Sequence, residues 1–156
     1  MMDQEIISAL KKVKYLYGKP AAIKVEALFR NETAHFKSGN FAITFSPGME
    51  AVKLPNGSVL PYPYGWTSLK EFWENNPNYK PIGLHMQVEN SSRALKSRGE
   101  RAFIKFASIE SSFMTVAYRL QKKGWNTGAW FSNDKTKQKN YSDYLLKIKT
   151  PYANSL

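Results

Sequence analysis

The chain has 156 residues, 42% of them hydrophobic and 14% aromatic, which excludes a disordered chain and predicts one globular domain over residues 1–156. The absence of cysteine excludes disulfides and thiolate metal sites, and with only two histidines we expect no metal or other cofactor. The formal net charge of +11 favours a polyanionic partner, a description that fits nucleic acid, an anionic membrane and the bacterial cell wall.

The first two predicted elements are helices. Apolar residues at helical spacing predict a first helix from Asp3 to Tyr17, and Gly18 suits its end. Pro20 suits the first turn of the second helix. Three apolar residues share one face of the second helix: Val25, Leu28 and Phe29. Glu32 follows on the same face at i+7, so a carboxyl group lies at the end of an apolar stripe.

The middle of the chain predicts an irregular lobe and a hairpin. From Lys37 to Pro81 the sequence is rich in Gly, Pro, Asn and Tyr, with one short helix expected near Ser68 to Asn75. Strands are predicted at Ile82 to Glu89 and at Arg101 to Ala107, joined by the basic loop Asn90 to Glu100.

The C-terminal third predicts two more helices. Ser108 suits the N-cap of a helix that ends at Gly124, and a final helix is expected from Gln138 to Lys149, with Pro151 stopping it. Four residues of the last helix are expected to face inward: Tyr141, Tyr144, Leu145 and Ile148. The predicted fold class is α+β, mostly helical, with a small β-hairpin lobe inserted in the middle.

The position of Glu32 suits a general acid. Cleavage of a glycosidic bond needs a carboxylic acid that is still protonated near neutral pH. Apolar surroundings disfavour the ionised form, and raising a Glu pKa from ~4.3 to ~6 corresponds to roughly 2 kcal/mol. The alternative is a solvated Glu near a helix end, paired with Arg30 or Lys37.

The segment 29–39, FRNETAHFKSG, resembles the acid-bearing helix end of the lysozyme-like glucosaminidases and lytic transglycosylases. In those enzymes a Glu is followed by Ser or Thr, an aromatic residue and a later Ser. The resemblance implies a lysozyme-like helical domain with Glu32 as general acid, and we place His35 and Ser38 among the substrate-binding candidates. His35 is expected to pack or hydrogen-bond at the helix end rather than act as a base. Either 40–43 or 46–50 is similar to the family's turn beside the active site.

A second match lies in the C-terminal half. Residues 106–113 resemble the start of the late helix of flagellar and autolysin-type glucosaminidases. Residues 130–134 and 141–145 are similar to that family's closing motif, in which a Ser/Thr-Asp turn precedes a Tyr that lines the substrate cleft. The resemblance assigns that role to Tyr141, although the spacer 135–140 is longer here than in the family.

A second catalytic carboxylate is less well defined. The autolysin-type relatives place an acidic residue on the hairpin, and Glu89 is the nearest match, with Glu100 and Glu50 as rivals. Glu89 paired with a basic residue across the hairpin is an equal alternative. Retaining chemistry needs carboxyl groups ~5 Å apart and inverting chemistry ~6.5–9.5 Å. A lytic transglycosylase, or hydrolysis assisted by the substrate's N-acetyl group, needs no second acid.

Six aromatic residues crowd the irregular lobe: Tyr62, Tyr64, Trp66, Phe72, Trp73 and Tyr79. We expect about half of them to be core. Tyr64 and Trp66, which flank Gly65, are expected to be exposed platforms that stack on sugar rings. His85, within a strand pattern, is expected to be structural.

Together these features favour a peptidoglycan hydrolase whose partners are glycan strands. The N-terminus does not resemble a secretory signal and no apolar run approaches the ~20 residues of a membrane span. We therefore expect cytoplasmic synthesis without a signal peptide and action at the bacterial cell wall, as a phage lysin, a virion component or an effector that a secretion machine delivers.

Two other classes of protein remain open. A nucleic-acid-binding protein would contact phosphates through two basic clusters: Arg93, Lys96, Arg98 and Arg101, and Lys135, Lys137 and Lys139. No nucleic-acid-binding motif accompanies these charges. A non-catalytic virion or wall-binding structural protein would keep the aromatic residues and the charge but tolerate the substitution Glu32→Gln.

Overall fold

A computed structural model describes residues 2–51, 62–88 and 100–156. Within these ranges helices α1 to α8 span Met2–Tyr17, Lys19–Glu32, Gly39–Thr44, Lys70–Asn75, Ile109–Lys122, Gly128–Phe131, Lys135–Leu145 and Pro151–Asn154. Single 3₁₀ turns lie at Pro63–Gly65, Thr67–Leu69 and Pro77–Tyr79. Strands β1 (Gly83–Val88) and β2 (Glu100–Lys105) pair antiparallel. The fold class is therefore α+β and mostly helical, as predicted.

Helices α1, α2 and α5 form the core. Gly18, which has a φ of 95°, separates α1 from α2, and Pro20 lies in the first turn of α2. Ser108 caps α5 as predicted, since its side chain accepts a 3.1 Å hydrogen bond from the Ser111 backbone N–H. The rings of Phe29 and Phe113 pack 4.2 Å apart where α2 and α5 meet. This packing fixes the end of α2, where Glu32 lies.

The antiparallel pair lies at one side of this core. Leu84 pairs with Ile104, and Met86 with Ala102, and both β2 residues are buried. On the other edge of β2, the Ile104 N–H donates to the Met49 carbonyl at 2.7 Å. The segment before residue 52 is thereby tied to the sheet. The strands match the prediction to within one or two residues, except that predicted strand residue Glu89 lies outside the described residues.

The irregular lobe contains a helix that the sequence analysis missed. Ser38 caps α3 by accepting a hydrogen bond from the Phe41 N–H at 3.1 Å, and Phe41 is fully buried. The helix is six residues long, too short for a helical hydrophobic period to be visible among the surrounding Gly, Asn and Ser. It anchors the chain directly after the turn that follows Glu32.

The last predicted helix has different bounds from those expected. Asp134 caps α7 by accepting a 3.0 Å hydrogen bond from the Lys137 N–H, so the helix begins three residues early and ends at Leu145. Pro151 begins α8 instead of stopping the preceding helix. Tyr144 was predicted to face inward, which is wrong, because its side chain is 55% exposed. Within the described ranges, no helix has the length and apolar character that crossing a bilayer requires.

Candidate active site

The chain after Glu32 is held in an unusual backbone conformation. Ala34, His35 and Phe36 have positive φ angles of 50°, 57° and 68°. For L-residues the left-handed region costs roughly 1–2 kcal/mol per residue. The turn persists because Phe36 is buried and because its N–H donates to the Thr33 hydroxyl at 2.8 Å. Strain that the surrounding structure enforces in this way is characteristic of functional sites.

Among the described residues, Glu32 has one side-chain partner, which lies in the C-terminal part of the sequence. The Tyr141 hydroxyl on α7 donates to Glu32 Oε1 at 2.5 Å. The same hydroxyl accepts a 3.0 Å hydrogen bond from Asn31 Nδ2. Among the residues that the structure describes, no group bonds to Glu32 Oε2. Tyr141 therefore occupies one carboxyl oxygen and leaves the other for a ligand.

Tyr141 is fixed in turn by the short helix α6. The rings of Phe131 and Tyr141 stack with their centroids 4.9 Å apart and an interplanar angle of 7°. The Gly128 N–H donates to the Ser142 hydroxyl at 2.8 Å, which ties α6 to α7. A Cβ on Gly128 would lie 2.0 Å from the backbone oxygen of Gln138, so this approach requires glycine. Gly128 thus allows α6 to approach α7 closely enough for Phe131 to stack on Tyr141.

The surroundings of the pair raise the pKa of both groups. Burial raises the pKa of Glu32, and the Tyr141 hydrogen bond lowers it by less, so the net pKa is raised. Glu32 as a residue is exposed to solvent, and the surrounding protein still raises the pKa of its carboxyl group. Burial, and then the bond to Glu32, raise the pKa of Tyr141, which keeps the phenol a neutral donor.

The apolar stripe of α2 plays a different part from the one expected. Val25, Leu28 and Phe29 are fully buried in the core, while Glu32 lies beyond them at the surface. The contact to the carboxyl group comes from α7 instead. The stripe therefore positions the end of α2, and neither Arg30 nor Lys37 pairs with Glu32. Arg30 bonds Glu26 at 2.7 Å.

A second cluster adjoins this site through α6. The Arg119 guanidinium carbon lies 4.6 Å from the ring centre of Trp66 and 4.3 Å from that of Trp130. Trp66 is fixed by its indole N–H, which donates to the Glu50 carbonyl at 2.8 Å. Trp130 directly precedes Phe131, the ring that stacks on Tyr141. We call Trp66, Arg119 and Trp130 the arginine cluster.

Four residues of these two groups were missed by the sequence analysis as site residues: Asn31, Arg119, Trp130 and Phe131. Three of them lie inside or beside motifs that the resemblance singled out. Arg119 follows Val116 by three residues, at the edge of the buried face of α5, and that position was the only sequence signal for it.

The two predicted aromatic platforms are not freely exposed. Tyr64 and Trp66 are half-buried and pack against the core, and Arg119 covers the face of Trp66. The expectation of exposure was wrong because the lobe packs both side chains against the core. Whether they bind sugar stays a prediction.

The remaining substrate-binding candidates differ in placement. Ser38 uses its hydroxyl as the cap of α3. His35 is exposed, and no side-chain hydrogen bond joins it to the described residues, so the expected packing role at the helix end is not observed. His85 lies half-buried in β1 opposite Phe103.

The second carboxylate stays a prediction. Glu89 lies outside the described residues. Glu50 forms an ion pair with Arg101, and Glu100 begins β2. In the part of the chain that is described, no group of three His, Cys, Asp or Glu side chains is arranged to hold a metal ion.

No protein-family model, curated protein or solved structure significantly matches the chain. Its function is therefore argued from the chemistry of the site.

Proposed function

We propose that this protein is a peptidoglycan hydrolase that cleaves the glycan strand with Glu32 as general acid. The observation that carries the proposal is the hydrogen bond from Tyr141 to Glu32. It joins the two segments that resemble the lysozyme-like enzymes, although 109 positions separate the two residues. A catalytic carboxyl group and a cleft-lining tyrosine would have to meet in such an enzyme.

The geometry suits proton donation. With Oε1 held by Tyr141, the proton of the neutral carboxyl group belongs on Oε2, which is free to protonate the glycosidic oxygen. As the bond breaks, Glu32 becomes a carboxylate, and the Tyr141 hydrogen bond strengthens because its acceptor gains charge. General acid catalysis of this kind contributes typically ~10²–10⁴-fold in rate.

The sugar cation that forms next must be trapped by a nucleophile. If a hydroxyl or N-acetyl group of the substrate attacks, Glu32 suffices, as in a lytic transglycosylase. If water attacks, a base is needed, and Glu89 remains the candidate for it. Mass spectrometry of the released fragments separates the hydroxyl route, which gives anhydro sugars, from the other two, in which water finally reacts at the anomeric carbon and gives reducing ends.

The charge of the chain fits an anionic wall. A net charge of +11 would concentrate the enzyme on stem peptides and teichoic acids, which are anionic. The same charge would suit nucleic acid, the alternative partner. Of the basic residues that would contact nucleic acid, Arg93, Lys96 and Arg98 lie outside the described residues. In the second basic cluster, Lys139 is paired with Asp143 at 2.6 Å.

The two functions are separated by one pair of assays. A zymogram on purified peptidoglycan should show a cleared band for the wild-type chain and for Glu71→Gln, an exposed carboxylate on α4, but none for Glu32→Gln. A DNA shift assay at physiological salt should show no discrete complex. A shifted DNA band without any cleared zone would reject the hydrolase and favour the alternative.

A further inference from the structure

Arg119 is a half-buried cation to which the described part of the chain supplies no acceptor. It lies on α5, a helix that is mostly buried. Two indole faces flank its guanidinium group at 4.6 and 4.3 Å. Within the described ranges its side chain forms no hydrogen bond and no ion pair, and its guanidinium group packs against these two rings.

Such an environment is costly for a cation unless water or an anion completes its hydrogen bonds. Burial lowers the pKa of Arg119 to about 10, so the group is still charged at neutral pH. The indoles stabilise the charge through their π-faces, but they offer no acceptor for its five N–H donors. The described part of the chain supplies no acceptor for these donors, so a ligand or water must do so.

The donors of Arg119 can be reached from outside. None of its nitrogen atoms is among the fully buried polar atoms of the described residues. Because indole rings crowd the guanidinium group, an acceptor must approach the N–H edges that the rings leave open. Two parallel N–H groups on one edge match the two oxygens of a carboxylate.

The position of the cluster links it to Glu32. Trp130, which contacts Arg119, is followed directly by Phe131, which stacks on Tyr141, and Tyr141 bonds Glu32. One short helix, α6, therefore carries Trp130 of the arginine cluster and Phe131, which packs on Tyr141 beside Glu32; we call Glu32, Tyr141 and Phe131 the acid site. A glycan strand that extends along α6 would therefore pass both groups.

We propose that Arg119, flanked by Trp66 and Trp130, binds a carboxylate group that the glycan strand carries beside the cleaved bond. This inference rests on the proposed function and names the substrate group that directs it. In peptidoglycan the carboxylate has two sources: the lactyl group of a muramic acid without its peptide, and the stem peptide. The shared chemistry is a carboxylate attached to an N-acetylated sugar chain.

The test measures binding to a chain that cannot turn over its ligand. Isothermal titration of the Glu32→Gln variant would use three tetrasaccharides: neutral chitotetraose, a glycan fragment with free lactyl carboxylates, and the same fragment with its stem peptides. We expect one of the two carboxylate probes to bind about tenfold tighter than chitotetraose, since charge-assisted hydrogen bonds typically add that much affinity. The tighter of the two identifies the source.

Substitutions of Arg119 in the same background assign the effect. Arg119→Met should remove the preference for the carboxylate probe and leave chitotetraose binding in place, while Arg119→Lys, which keeps the charge but not the planar fork, should retain part of it. Lys123→Met, which removes an exposed cation four residues further along, controls for a general loss of charge and should change nothing. Far-UV circular dichroism checks that each variant is folded.

The outcomes separate the inference from the proposed function. Equal affinity for all three probes in the parent variant, or an unchanged preference in Arg119→Met and Arg119→Lys, would overturn the carboxylate site. In that case lysis of peptidoglycan by the wild-type chain would still support the hydrolase. A preference that depends on Arg119, in a chain whose wild type leaves peptidoglycan uncut, would retain the carboxylate site and reject the hydrolase.

Discussion

Tyr141 donates a 2.5 Å hydrogen bond to Glu32 and accepts one of 3.0 Å from Asn31, so its hydroxyl bridges two neighbouring residues at the end of α2. This bridge gives the two carboxyl oxygens different roles. Oε1 is held in place, and no described residue bonds to Oε2, the oxygen to which the proposed function assigns the proton. The contact also fixes α7 against α2, which makes the acid site depend on the C-terminal half of the chain.

Replacing Tyr141 with Phe should change the pH dependence of activity as well as its level. Because the tyrosine hydrogen bond lowers the Glu32 pKa, its removal raises that pKa, and the alkaline limb of the activity profile should move to higher pH. The rate at the optimum should fall by about tenfold, the usual effect of losing one hydrogen bond to a charged group. A profile of lysis rate against pH checks both effects.

Tyr144→Phe is the matched control, since Tyr144 lies one turn along α7 with an exposed side chain. It should behave as the wild type. An unmoved alkaline limb in Tyr141→Phe, with the protein folded, would remove Tyr141 from the site.

Glu32→Gln should raise thermal stability at neutral pH. The pKa of Glu32 is raised in the folded protein, so the protonated carboxyl group stabilises the folded state. This stabilisation is complete below the ordinary Glu pKa, and it is lost as the pH rises through the pKa of the folded protein. A neutral Gln avoids the loss. The Tm of the variant should therefore exceed that of the wild type at pH 7 to 8, and the difference should shrink as the pH falls toward 4. A difference independent of pH would show that the carboxyl group is not desolvated.

Gly128→Ala should disturb both the acid site and the arginine cluster. The added Cβ would collide with the Gln138 backbone, forcing α6 away from α7. Overpacking of this kind destabilises proteins by about 1–3 kcal/mol, and Tyr141 would lose the ring that covers it. The urea concentration at the midpoint of unfolding and the rate of lysis should both fall. Gly39→Ala is the control, because nothing lies within 4 Å of a Cβ at that position. Equal stability of the two variants would contradict the close approach of α6.

Glu26→Ala should be the most damaging carboxylate substitution for stability. Glu26 is fully buried, bonds Arg30 at 2.7 Å and accepts the Ala153 N–H at 2.7 Å, so it ties α2 to α8. Removing one partner of a buried ion pair typically costs about 3–5 kcal/mol. Thermal unfolding should show a large fall in Tm. A loss no larger than that of an exposed Glu5→Ala variant would rule out this bridging role.

The sequence predicted those features that depend on local pattern. The apolar spacing before Glu32, the cap at Ser108 and the turn at Gly18 each indicate an element that the structure contains. The contact between Glu32 and Tyr141 could be expected only from the resemblance, because hydrophobic periodicity carries no information on which surface residues meet.

Other features depend on tertiary contacts between distant segments. Arg119 is flanked by indoles that come 53 positions before it and 11 after it, counted from Trp66 and Trp130, so no local pattern indicates its burial. Pro151 is compatible with the end of one helix or with the start of another. In the structure it starts α8, because the Glu26 carboxylate accepts hydrogen bonds from two backbone N–H groups of the first turn of that helix.

The most direct test of the general-acid role is the rate at which soluble fragments are released from purified peptidoglycan near neutral pH. Wild-type protein and Glu71→Gln should release fragments at equal rates. Glu32→Gln, folded by circular dichroism, should be slower by at least about 100-fold. A Glu32→Gln rate within a few-fold of the wild type would contradict the assignment of Glu32 as the acid.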